Sequence, residues 1–403
     1  MAIEAHPEFL IQSDWNDSLK DTGSKVWITL KERGKTGIHG SIIRATSNED
    51  NLTATDGFKI ISYQSNSLHV GHESTSQTAI FVGPAKAISG VHNKSVSTIS
   101  INSLGHAVSA STDEKLVVWD TLTGKVKLDL KGHVGDVYKC RFFPSGEVVL
   151  SCGSDMRLMI WCAKTGVKAV TLTGHTMAVT DADFVDRGRN VISSSKDGTL
   201  RLWNCGDSSC LATLFEHSSG INCCTIFLPP AGFLTEEREG PISDKECGTK
   251  GKAVLVGCED GTVHCIDLYS RKVKFSLSTP SCVNCVAAVE DGKFLVGCQD
   301  GSIHLYSLHM TEHPKRSWHT SNSAICSIYP YKEIGFFASR ADGNITFKFY
   351  KISTVMLNLT GANADPVYDL DGNADILYSC SRDSIIRMHA PSKLISKIIG
   401  TTV

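Results

Sequence analysis

The chain has 403 residues, and its 40 Lys and Arg nearly balance 42 Asp and Glu, for a formal net charge of −2. It contains no basic block long enough to track phosphates, which argues against nucleic acid as the main ligand. It also has no run of 18 apolar residues to cross a membrane as a helix, and the opening MAIEAHPEFLIQSDW lacks a basic start before an apolar run, so a cytoplasmic or nuclear protein is expected.

In chain order, residues 1–78 lack the regularity of the remaining chain and read as a small α+β extension. Within it, Ser13 is placed to cap a short helix that puts Trp15 and Leu19 on one face. Thr53 to Ile60 reads as strand, turn and strand, and the polar stretch 71–78 as a linker. From residue 79 onward, short runs of alternating apolar residues, such as Leu116-Val117-Val118-Trp119, predict antiparallel sheet throughout.

Seven Asp residues punctuate that sheet: Asp113, Asp155, Asp197, Asp260, Asp300, Asp342 and Asp383. They are separated by 42, 42, 63, 40, 42 and 41 residues, the period of a four-stranded propeller blade. An all-β, seven-bladed propeller over 79–403 is therefore expected. Asp-Gly pairs at four of these positions suit hairpin turns, because Gly accepts positive φ at little cost. The one long gap holds 228–251, rich in Pro, Gly and acidic residues. It reads as a loop insertion in blade four, with disorder preferred over partner contact. Residues 79–88 are expected to complete the last blade, with 393–399 as the competing segment, because an unpaired edge would otherwise remain.

The first three repeats share more than the period. His92, Ser109, Asp113 and Trp119 recur as His133, Ser151, Asp155 and Trp161, and again as His175, Ser193, Asp197 and Trp203. A buried imidazole, hydroxyl and indole N–H each need a partner, so the sets are expected to be structural networks that tie turn to strands. A Ser-His-Asp hydrolase is rejected: the set occurs three times at equivalent strand positions, and no glycine-flanked nucleophile elbow occurs. Blades four to seven depart from the pattern, with Val256, Val296, Ala338 and Ser379 at the Ser position and Ile266, Tyr306, Lys348 and His389 at the Trp position.

Cys282 and Cys285 have metal-pair spacing but lack a second pair, and the fifteen Cys read as reduced, mostly buried thiols. No metal, no cofactor and no catalytic residue are expected. His217 and His319 are assigned inter-blade positions like those of the three network histidines.

These sets, with Gly132-His133, Gly174-His175 and Trp119-Asp120, resemble the WD-repeat family of β-propellers. In that family the four residues form a hydrogen-bonded chain from the inter-blade His to the Trp indole. Contact with a partner is expected on the face that carries the Asp turns, through Asp136, Arg157, Lys196, Glu259, Arg340 and Arg382.

Four strings are more specific: Ile11-Gln12-Ser13-Asp14-Trp15, Arg141-Phe142-Phe143-Pro144-Ser145-Gly146, Val185-Asp186-Arg187-Gly188-Arg189-Asn190-Val191, and Leu359-Thr360-Gly361-Ala362 with Asp365-Pro366-Val367-Tyr368. They resemble the proteasomal ATPase-associated factor family. That resemblance implies a non-catalytic chaperone, monomeric by itself, for assembly of the base of the proteasome regulatory particle. It would bind an ATPase subunit through that subunit's C-terminal region and keep it from premature association with the core particle. The alternatives are a substrate receptor of a ubiquitin ligase and a general signalling scaffold. The adapter Arg expected two residues after Trp-Asp is absent, since Trp119-Asp120 is followed by Thr121-Leu122.

Overall fold

The computed structural model describes residues 4–5, 7–32, 34–45, 52–234, 237–238, 241–319, 321–352 and 354–402. Alternating short strands give four-stranded antiparallel sheets, the first built from Val96–Ile101, His106–Ser111, Leu116–Asp120 and Val126–Asp129. The inner strands of successive blades are Val96–Ile101, Val137–Phe142, Val179–Val185, Ile221–Phe227, Val283–Val289, Ile325–Tyr331 and Val367–Gly372. Each touches the next, and the last touches the first, so the blades close into a propeller.

Polar side chains spaced two apart on some inner strands bind the next strand around the channel. Asp181 and Asp183 accept the backbone N–H of Cys224 (3.1 Å) and Ile226 (2.9 Å). Asp369 and Asp371 do the same for Ile99 (3.3 Å) and Ile101 (2.7 Å), and the hydroxyls of Thr98 and Ser100 for Cys140 and Phe142. Side chains two apart on a strand share a face, which is why one strand can reach two N–H groups of its neighbour.

The last blade is completed from upstream, by Lys86–Ile88 pairing antiparallel with Ile386–His389. The competing segment 393–399 lies in the helix Ser392–Thr402, with Ile395 and Ile398 buried in the core of blades six and seven. Residues 79–88 do not act as one strand, however. Thr78–Val82 pairs in parallel with Val355–Leu359 of blade six.

This pairing changes the reading of the N-terminus. Phe58–Gln64, Ser67–His72 and Thr78–Val82 extend the sheet of blade six to seven strands, so the stretch expected to be a linker is a strand end and a hairpin connection. Glu8–Ile11, Lys25–Lys31, Ile38–Arg44 and Leu52–Ala54 form a further four-stranded sheet. Its Phe9, Val26 and Ile28 share one core with Trp15, Leu68, Phe81 and Met356. The extension is thus packed onto the propeller through a common apolar core, and it covers an edge of blade six that would otherwise be unpaired. Its helix is only Trp15–Ser18, and Asp14, not Ser13, stands at the cap position. Ser13 instead donates to Asn363 Oδ1 at 2.9 Å.

The C-terminal part of the insertion, 245–249, is also more ordered than its composition suggests. Glu246 is buried, paired with Arg238 (2.8 Å) and Arg271 (3.0 Å), and accepts from the Thr249 hydroxyl at 2.9 Å. Asn190 of blade three donates to the Lys245 carbonyl at 3.1 Å and accepts from the Cys247 N–H at 2.6 Å. Residues 245–249 are therefore fixed to the body of the propeller by buried polar contacts.

Candidate partner-binding face

The turn aspartates form the floor of the candidate face. In every blade the Asp Oδ1 accepts the backbone N–H two residues on, as Asp113 does from Lys115 (3.2 Å), Asp260 from Thr262 (3.0 Å) and Asp383 from Ile385 (3.0 Å). This is the local bond for which Asp is favoured in turns. The residue before each Asp donates its N–H to the inter-blade loop, as in Ser154 to Asp136 O, Glu259 to Gly220 O and Arg382 to Pro366 O, all at 2.9–3.0 Å. Both bonds involve only the turn and the backbone, so they persist in blades that lack the His, Ser and Trp.

In blades two and three the networks are tight. Trp161 Nε1 donates to Ser151 Oγ at 2.8 Å, Ser151 Oγ lies 2.8 Å from His133 Nε2, and His133 Nδ1 lies 2.9 Å from Asp155. The corresponding distances for Trp203, Ser193, His175 and Asp197 are 2.8, 2.7 and 2.8 Å. Since the indole can only donate, the serine hydroxyl accepts from it and donates to His Nε2, which leaves the Nδ1 proton for the carboxylate. Blade one is looser: Trp119 and His92 reach Ser109 at 3.0 and 2.8 Å, but His92 Nδ1 is 3.4 Å from Asp113. Burial pushes the His92 and His175 imidazoles below their usual range, which favours the neutral form this chain of bonds requires. The three hydroxyls are fully buried.

Ser151→Ala would leave a buried indole N–H and an imidazole without their acceptor and donor, and is expected to destabilise the protein by about 1–3 kcal/mol. Urea denaturation of the two proteins reads this directly, and an unchanged midpoint would contradict it.

Acid should act on the same bonds. Burial alone would raise the Asp197 carboxyl, but the Thr199 hydroxyl, the Thr176 N–H and His175 outweigh it and hold it at about 2, below the ordinary 3.8. A folded value below the unfolded one contributes stability that is present above pH 3.8 and is lost as the pH falls toward 2. Melting temperature should therefore drop over that window, and the drop should be smaller in Asp197→Asn than in the wild type.

The six residues expected at the partner face fall into different environments. Arg157 and Glu259 are exposed and Asp136 is half-buried. Lys196 binds Asn222 Oδ1 at 2.6 Å and forms an ion pair with Glu259. Arg382 is exposed, with Asp365 at 2.8 Å. Arg340 is a correction: it is buried, ion-paired with Glu8 and bonded to Ser321 at 3.1 Å, so it is not presented to a partner. Charge-based reasoning also passed over Val134, Met156 and Met177, which are exposed at 74%, 42% and 52% beside the turns of blades two and three. Their signal was an apolar residue directly after a network His or Asp, as Val134 and Met156 are, or two positions after a network His, as Met177 is.

The four specific strings meet in pairs. Trp15 Nε1 donates to Thr360 Oγ1 at 2.9 Å, inside the shared core. Phe143 stacks on Phe184 at 5.5 Å and covers Gly188, where a Cβ would stand 1.8 Å from the Phe143 ring. Gly188 also has φ +88°, so both space and backbone call for Gly there.

Comparison with known proteins adds independent findings. The model of the family described as WD domain, G-beta repeat matches residues 124–162, 166–204, 208–267 and 271–307. The chain is 39% identical over 383 residues to proteasomal ATPase-associated factor 1 of Gallus gallus, covering 94% of this chain and 97% of the relative. It is 38% identical over 388 residues to the Homo sapiens protein of the same name, covering 95% and 98%. A probable member from Dictyostelium discoideum is 33% identical over 150 residues, 36% of this chain and 35% of that protein. With WD repeats, a propeller fold and identity along nearly the full length of both chains, this protein belongs to the proteasomal ATPase-associated factor 1 family.

Proposed function

We propose that the protein is a non-catalytic binding scaffold of the cytoplasm and nucleus that chaperones assembly of the base of the proteasome regulatory particle by holding an ATPase subunit. The observation that carries this reading is the 38–39% identity, over nearly the whole length, to proteins named for association with proteasomal ATPases. The commitment of all three network serines to buried tryptophans supports a binding role over a hydrolytic one. The turn face supports it further, because exposed apolar Val134, Met156 and Met177 occur there with the charged Arg157, Glu259 and Arg382, a mixture suited to a protein partner.

The action is steric and reversible: a broad face covers part of the ATPase subunit and leaves as the ring is completed. Affinity capture from cell extract with identification of the bound proteins tests it. Recovery of proteasomal ATPase subunits is expected, and recovery of a cullin adapter in their place would contradict it.

A further inference from the structure

Blade four keeps the inter-blade His and the turn Asp but has replaced the Ser and the Trp of the network. Val256 and Ile266, both fully buried, stand where blades one to three have Ser and Trp. His217 Nε2 still reaches Asp260 Oδ2 at 2.8 Å. Beside it are a second imidazole and a thiol. His264 pairs with Val256 in the strand register, so its side chain shares a sheet face with Val256 and Cys258. The donor atoms of His217, Cys258 and His264 lie within 4.8 Å of one another. Cys258 and His264 are buried while His217 is partly exposed, which leaves the cluster accessible from one side.

We propose that His217, Cys258 and His264 form a Zn(II) site, with Asp260 orienting His217. Two imidazoles and a thiolate are a zinc-type donor set, and an open side leaves room for water as fourth ligand. A carboxylate bonded to one imidazole nitrogen fixes the ring and leaves its other nitrogen for the ion. Zinc bonds of about 2.0–2.3 Å place tetrahedral ligand atoms about 3.5 Å apart, so the side chains close by about 1 Å on binding. Cys258 coordinates as the thiolate, and its proton leaves to solvent. His264, now within hydrogen-bond distance of Thr262 (3.0 Å) and Ser276 (2.8 Å), exchanges one of these hydroxyls for the metal.

Blade five is an internal control. Its Cys298, Asp300 and His304 repeat the arrangement, with His304 opposite Val296 and bonded to Ser302 and Ser317. The loop position differs. The residue whose N–H binds the preceding turn glycine is His217 before blade four and Thr279 before blade five. Blade five therefore has two of the three donors, and His217 is the residue that completes the set.

The experiment uses full-length protein without a metal-binding tag, loaded with Zn(II), dialysed, and assayed for metal content. One zinc per chain is expected in the wild type and in Cys298→Ser, falling to background in Cys258→Ser and in His217→Thr, which copies blade five and so preserves the fold. Co(II) loading should give a thiolate charge-transfer band in the wild type that disappears in Cys258→Ser. Background zinc in the wild type, or full occupancy in both Cys258→Ser and His217→Thr, would overturn the proposal.

Discussion

Glu8→Ala is expected to lower the unfolding free energy by about 3 kcal/mol, the lower end of the range for breaking a buried ion pair. Glu8 and Arg340 are both buried and ion-paired, one from the N-terminal sheet and the other from blade six. Removing the carboxylate leaves the guanidinium with Ser321 at 3.1 Å and Asp342 at 3.4 Å, which is why the lower end applies. Because the N-terminal sheet and blade six share one core, the loss should appear as a shift of a single unfolding transition. A change under about 1 kcal/mol, the range of an exposed pair, or a separate early transition for the extension would contradict this description of the N-terminus.

Asp369→Ala should cost about 3–5 kcal/mol, because it also removes one side of a buried charge pair. Asp369 accepts from Thr98 (2.8 Å) and the Ile99 N–H (3.3 Å) of blade one, from Lys139 of blade two (2.8 Å) and from Ser327 of blade six (3.1 Å). One carboxylate thus joins four blades where the ring closes. Burial alone would raise it, yet Lys139 and these donors hold it below the ordinary range, so it remains charged at neutral pH. Adding Lys139→Met to Asp369→Ala should restore part of the loss, since the ammonium is no longer left beside an empty position. Additive effects in the double variant would show that the pair is not coupled.

The period of the ring was legible because its marker serves a local purpose. A turn carboxylate that binds the N–H two residues on is needed in every blade, whatever the rest of the blade contains. The Trp, Ser, His and Asp sets were legible for a related reason: their partners lie within one repeat and keep fixed offsets. Asp181, Asp183, Asp369 and Asp371 were not, because their partners are on the next inner strand, 43 residues away for Asp181 and 270 for Asp369. A single-repeat pattern carries no trace of such bonds.

Arg340 was misread as exposed because its neighbour is a turn Asp, while its true partner, Glu8, lies 332 residues away. The polar composition of 71–78 suggested a linker, but strand pairing on blade six depends on backbone groups and on flanking Leu68, Val70 and Phe81, which are buried. His217 was legible as an inter-blade residue, but its meeting with Cys258 and His264 was not. The insertion separates it from Asp260 by 43 residues, so no fixed offset links the three donors.

Direct binding of a proteasomal ATPase subunit is tested most directly by titrating the purified protein against each purified subunit at low and at high salt. Saturable one-to-one binding to at least one subunit is expected, weakened by salt because complementary charge assists the encounter. No binding to any of the subunits would contradict the assembly-chaperone reading, and binding that is indifferent to salt would remove charge from the mechanism.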